Sequence, residues 1–217
     1  MKSASSKFLQ IFLLLVLVGA APGLCAQGGG QYELTGRLNL VGSSGKPTND
    51  VLGYGIAIHR RINDDWYLGI NFDHSPEFDF ERPAEILDIK SDSEIDAVGT
   101  MTMLSVIAER RFALDSDSWS GFWNLGAGIN DIDMDDADGA IRGGGTYDIE
   151  TDIDTELILL GGVGLLQQIG ENWTGRYQLT AEHHSGDWDI RDRISGATGK
   201  IDDYAIYGLR IGLSYRF

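Results

Sequence analysis

From residue 32 onward, apolar and polar side chains alternate in short runs. YELTGRLNLV (32–41) sets Tyr32, Leu34, Gly36, Leu38 and Leu40 against Glu33, Thr35, Arg37 and Asn39. YGIAIHRR (54–61) sets Tyr54, Ile56 and Ile58 against Gly55, Ala57, His59 and Arg61. WYLGINFDH (66–74) and WTGRYQLTAEHH (173–184) repeat the pattern, and so does the terminal DDYAIYGLRIGLSYRF. A period of two over such lengths predicts half-buried β-strands.

Three further segments read as strands. GFWNLGAGIND (121–131) alternates Trp123, Leu125, Ala127 and Ile129 with Asn124, Gly126, Gly128 and Asn130. AVGTMTMLSVIAERRF (97–112) is strand-like with an ambiguous phase that a bulge would explain. LILLGGVGLLQQ (157–168) is apolar on both faces, so its facing is unreadable. The expected count is eight strands, and an even number puts both termini on one side of a sheet closed on itself.

The connections are of two kinds. RINDDWYLG, ALDSDSWSGFW and QIGENWTGR are short, and each places turn-forming residues just before a tryptophan that opens the next strand. Trp66, Trp119 and Trp173 stand 53 and 54 residues apart, one per two strands and a long loop. Amphipathic aromatics at the same end of successive hairpins suit one rim of a membrane-interface girdle. The other connections are long and acidic: residues 74–96 carry eight acids, 131–156 ten and 185–203 five.

The first 26 residues belong to another category. Lys2 and Lys7 precede an apolar run, Phe8 to Val18, broken only by Gln10, and Leu24-Cys25-Ala26 closes it. That layout is a cleavable signal peptide, 1–26, and the run is short of the ~20 residues a spanning helix needs. Its removal takes Lys2, Lys7 and the single cysteine but no acid, so the formal charge of −16 becomes −18 for residues 27–217. Such acidity argues against a nucleic-acid partner. The absence of cysteine excludes disulfides and thiolate chemistry from that domain.

These features predict an all-β fold, an eight-stranded antiparallel transmembrane β-barrel with a polar interior and an oily exterior. The terminal strand must then pair with the first, since an unpaired edge in hydrocarbon is costly. The chain resembles the small porin-like outer-membrane β-barrels, the OmpW-like and OmpA-transmembrane-like group. The most specific match is the final GLRIGLSYRF, where Tyr215 and Phe217 match the aromatic-ended strand read by the barrel-assembly machinery. The resemblance implies a bacterial outer-membrane location with both termini periplasmic and outer-membrane lipid and lipopolysaccharide as surroundings. It also implies a non-enzymatic, porin-like role, structural or in the passage of small solutes.

Candidate chemistry divides by place. Arg37, His59, Arg61, Asp73, Arg176, Glu182, His184 and Arg210 fall on the interior face. A barrel of eight strands is just wide enough for side chains to fill, so mutual pairing is expected ahead of a conducting bore. The run DIDMDDADG (131–139) fails as an EF-hand, because position 6 from Asp131 is Asp136 and position 12 is Arg142. DIETDIDTE would align Asp148, Glu150, Asp152, Asp154 and Glu156 on one extended face, a ladder that could hold divalent cations weakly and otherwise repels itself. No cofactor is expected; GGGT in IRGGGTYDI lacks the lysine and the helix of a phosphate loop. The one enzymatic alternative is EHHSGDW (182–188), which resembles the lipid A deacylase barrels of PagL type. There His183 and Ser185 would be base and nucleophile, with Asp202 or Asp203 as the acid, although Gly186 departs from that family's Asn and the acid from its Glu. A third role, adhesion through the acidic loops, remains open.

Overall fold

A computed structural model describes residues 31–43, 51–80, 84, 87–89, 97–142, 144–201 and 203–217. The expected signal peptide and Asp202 lie outside the described residues. Eight long strands form the frame: β1 (Tyr32–Ser43), β2 (Val51–Arg61), β3 (Trp66–Phe80), β4 (Ala97–Ala113), β5 (Trp119–Met134), β8 (Glu156–Gln168), β9 (Trp173–Ser185) and β12 (Tyr204–Arg216). Four short ones lie in the connections: β6 (Ala137–Ala140), β7 (Thr146–Ile153), β10 (Trp188–Asp192) and β11 (Thr198–Ile201).

The long strands close into a barrel in the order β1-β12-β9-β8-β5-β4-β3-β2, every neighbour antiparallel. Closure is made by β1 and β12, in register from Glu33 opposite Arg216 to Ser43 opposite Ile206. It extends to the last residue, where the Phe217 N–H donates to the Tyr32 carbonyl at 3.0 Å. The barrel therefore leaves no strand edge open. Alternation then sorts the side chains. Leu38, Leu125, Leu159 and Leu179 are each about 60% exposed on the outer wall, while Thr35, Asn39, Asn71 and Gln178 are buried within. An apolar exterior around a polar interior is the inverse of a water-soluble fold and matches hydrocarbon surroundings.

Two of the three short turns share one device. The Ile62 N–H donates to the Trp66 carbonyl at 2.8 Å, and the Ile169 N–H to the Trp173 carbonyl at 3.0 Å. In the first turn the Asn63 side-chain oxygen also accepts the N–H groups of Asp65 and Trp66, both at 3.0 Å. There a polar side chain preceding the tryptophan satisfies the backbone where the chain reverses.

Both strands of unreadable phase keep a single phase throughout. In β4 the odd-numbered residues from Ala97 to Glu109 face inward. The expected bulge lies in its partner, where the register of β3 shifts between Ser75 and Phe78, at Pro76-Glu77. Proline cannot donate to a ladder, so a bulge is where a strand tolerates it. In β8, Glu156, Ile158, Leu160 and Leu166 are buried and Leu157, Leu159, Val163 and Leu165 face out. The inward glycines of β8 leave room for neighbours: a Cβ on Gly164 would sit 2.5 Å from the Phe122 ring.

The long connections are not plain loops. β6, β7, β10 and β11 form a second sheet in the order β11-β10-β7-β6. The glycines of IRGGGTYDI make its first hairpin, with Gly144 and Gly145 at φ of 109° and 107°, and the Ile141 N–H donating to the Gly145 carbonyl at 3.0 Å. One face of this sheet (Ala137, Tyr147, Ile149, Trp188 and Ile190) packs on inward residues at the ends of the barrel strands: Val41, Met101, Ile132, Tyr204 and Ile206. The hydrophobic core of the protein is this plug across one mouth.

Candidate functional site

The interior is layered, and each layer follows from strand parity. Nearest the short turns, Glu33 receives a bidentate pair from Arg111 at 2.6 and 2.8 Å and a bond from Arg216 at 3.2 Å. Glu109, fully buried, is held by Arg111 at 2.8 Å and by Arg176. The guanidinium of Arg111 lies 3.6 Å from the Tyr67 ring centre, and that of Arg176 lies 4.0 Å from that of Phe122. This layer also bounds a cavity of about 270 Å³ open at the short-turn end, lined in part by Tyr67, Arg111, Trp119, Gln168 and Arg216.

In the middle, Arg37 grips Asp73 with two bonds, 2.8 and 2.5 Å, and Asn39 adds a third at 2.7 Å. Arg210 bonds Glu182 at 2.6 Å and lies 3.6 Å from Asp73. At the plugged end Glu156, with no exposed surface, accepts from four donors: Asn130 at 2.8 Å, His184 Nδ1 at 2.9 Å, Trp188 Nε1 at 2.7 Å and Tyr204 at 2.8 Å. His184 stacks on Tyr204 with ring centres 4.7 Å apart and turns its other nitrogen toward Glu182 at 3.6 Å. A continuous set of charged contacts therefore runs from Arg37 through Asp73, Arg210, Glu182, His184 and Glu156 to Trp188 of the outer sheet.

The structure places Arg37, His59, Asp73, Arg176, Glu182, His184 and Arg210 inside the barrel, all buried. Arg61 is the exception: it shares their parity but ends β2, stands exposed and bonds Asp64 at 2.8 Å in the turn. Pattern reading missed Glu109 and Arg111, because the phase of their strand was unreadable. Glu156 it assigned to the acidic ladder. Asp148, Glu150 and Asp152 do line the solvent side of β7, but Glu156 begins the next barrel strand and turns inward.

The ladder also has basic partners. Arg193 reaches Asp136, Asp148 and Glu150 at 2.6, 3.2 and 3.2 Å, and Lys200 pairs with Asp189 at 2.9 Å. Among the described residues no group of three or more His, Cys, Asp or Glu is placed to hold a metal ion.

Within that sheet Asp192 is buried and accepts the N–H groups of Asp148, Ile194 and Ser195 at 2.9, 3.3 and 2.9 Å. Burial pushes its carboxyl up, but bonds from Ser195 and from the backbone at Asp148, Ser195 and Ile194 outweigh that and hold it at about 2. A depressed carboxylate stabilises fully above its unfolded pKa of about 4 and ceases to as pH falls through its folded value. The outer sheet is thus expected to loosen between about pH 4 and pH 2. Asp192→Asn should flatten that dependence, as read by fluorescence of Trp188 at the other end of the same strand.

His183 and Ser185 both face outward on β9, and no hydrogen bond joins them among the described residues. His183 instead lies 3.8 Å from Asp203, with both side chains more than half exposed. The base-to-acid half of a hydrolase arrangement is approximated there, and the base-to-nucleophile half is not formed.

The short-turn rim carries the aromatics. Trp66 packs edge-on against Trp123 (5.4 Å between ring centres), Trp119 and Trp173 lie tilted against Tyr177 (5.9 Å) and Tyr215 (4.9 Å), and Tyr32 stacks on Phe217 (6.1 Å). Each predicted tryptophan thus has an aromatic partner across the rim.

Closed eight-stranded barrel, outward apolar wall and aromatic rim define a small outer-membrane-type β-barrel. The structure is similar to that of Neisserial surface protein A, at 12% identity and a TM-score of 0.52, covering 88% of this chain and 100% of that one. It is similar also to the outer membrane protein OprG from Pseudomonas aeruginosa, at 12% identity and a TM-score of 0.56, covering 87% of this chain and 96% of that one. No protein-family model and no curated protein matches the sequence. The likeness is one of fold.

Proposed function

We propose that this protein is a non-enzymatic barrel of the bacterial outer membrane that acts through its framework and its outer surface, and that it is closed to solutes. The observation that carries this reading is the plug: a sheet seated by its apolar face across one mouth and tied to the wall through Glu156. Below it the interior arginines and carboxylates pair with one another, which leaves little driving force for ions to enter. Both termini lie on the periplasmic side in this reading, supported by the short turns and aromatic rim at that end and by the docked sheet at the other. Tyr215 and Phe217 would present the terminal strand to the assembly machinery, and lipid and lipopolysaccharide would surround the wall.

Planar-bilayer recording of the refolded protein tests this: no sustained unitary current is expected, and steady unitary currents would favour a porin-like conduit. The deacylase alternative, which the outward His183 and its neighbour Asp203 favour, has its own check. Release of fatty acid from lipopolysaccharide by the wild type, abolished in Ser185→Ala, would make the protein an enzyme.

A further inference from the structure

We infer that the lipid-facing Arg60 and Arg110, at the short-turn rim, bind the phosphate of an anionic phospholipid. Both side chains are exposed on the outer wall, where other residues at that depth are apolar or aromatic. Arg60 stands opposite Tyr32 on β1 and Leu68 on β3, its guanidinium 6.0 Å from the Tyr32 ring centre. Arg110 stands between Trp66 on β3 and Trp123 on β5. The two arginines therefore flank one strand with an offset of two residues along it, which sets their backbones about 12 Å apart, within joint reach of two extended side chains.

Neither has an ion pair or a side-chain hydrogen bond with any described residue, unlike every interior arginine described above. The nearby carboxylates do not supply one: Glu109 turns inward to Arg111 and Arg176, Asp64 is taken by Arg61 at 2.8 Å, and Asp65, Asp115 and Asp117 in the turns pair with neither guanidinium. Two uncompensated cations set within an aromatic rim sit at headgroup depth. A guanidinium fork matches a phosphate, and the flanking rings and Leu68 would receive the glycerol and upper acyl chains. Paired cations without a facing carboxylate select a lipid of net negative charge over a zwitterionic one.

The inference rests on the membrane-spanning reading, and the test separates the two. The folded full chain is placed in phosphatidylcholine vesicles containing a minority of lipid with brominated chains, either phosphatidylglycerol or phosphatidylcholine, and tryptophan quenching is read. Brominated phosphatidylglycerol should associate preferentially, each guanidinium contributing about fivefold, and the preference should shrink in high salt. In Arg60→Gln/Arg110→Gln it should vanish while the barrel still inserts, both positions being exposed. Equal quenching by the two lipids, or a preference that survives the double substitution, would overturn the site. A preference for lipopolysaccharide over phosphatidylglycerol that those substitutions abolish would overturn the assignment to phospholipid. A wild-type chain that stays in the aqueous phase would overturn the membrane reading and the site with it.

Discussion

Glu156→Ala is expected to release the outer sheet from the barrel while leaving the barrel inserted. The carboxylate is fully buried and accepts from Asn130, His184, Trp188 and Tyr204. These donors come from β5, β9, β10 and β12, so one side chain joins three walls of the barrel to the plug. Its removal leaves four buried donors facing a hole, a loss on the order of 3–5 kcal/mol. Protease should then cut at the hairpin near Gly144 or the turn near Gly196, and Trp188 emission should shift to the red. Glu156→Gln, which keeps the volume and one acceptor, should fall between the two. Unchanged protease resistance in Glu156→Ala would show that the apolar face alone seats the sheet.

The second large effect is expected at Glu109→Ala. Arg111 and Arg176 converge on this carboxylate from either side inside the barrel. Without it Arg176 is a buried charge with no carboxylate partner, held only against the Phe122 ring, whereas Arg111 keeps Glu33. Stranding a buried charge costs about 3–5 kcal/mol, and replacing a whole buried pair with apolar residues of similar size is often neutral. Urea titration of the vesicle-inserted protein, followed by gel mobility, should therefore show a large loss in Glu109→Ala. Much of it should be recovered in Glu109→Leu/Arg176→Met. Equal losses in both variants would indicate that the pair contributes packing and not charge compensation.

Much of this architecture was legible because a period of two is hard to mistake where one wall meets lipid and the other does not. The barrel strands begin at Tyr32, Trp66 and Trp173, where alternation placed them, and Arg37, Asp73, Glu182 and Arg210 fell inside by parity alone. β8 resisted because small inward glycines, shaped by their neighbours Phe122 and Gln178, remove the polar signal from the inner face. β4 resisted because Met101, Met103 and Ile107 point inward and share the apolar character of its lipid face. Glu109 and Arg111 were obscured with it.

The outer sheet was missed for a different reason. In TYDIETDI the acids at 148, 150 and 152 drew attention as a repulsive ladder, while the alternate Tyr147, Ile149 and Ile153 carried the informative half of the pattern. WDI at 188–190 repeats it over three residues. Segments this short, pairing across a separation of about forty residues, give no local signal of their partner. Only the assembled barrel mouth, with Ile132 and Ile206 turned inward, shows what their apolar face covers.

The docked outer sheet is the point on which the closed-barrel account turns, and amide hydrogen exchange in lipid nanodiscs tests it most directly. Strands 146–153 and 188–192 are predicted to exchange slowly, close to the rates of the barrel strands. Exchange over those residues at the rate of free loops would mean that the mouth stands open and that the closed barrel must be abandoned.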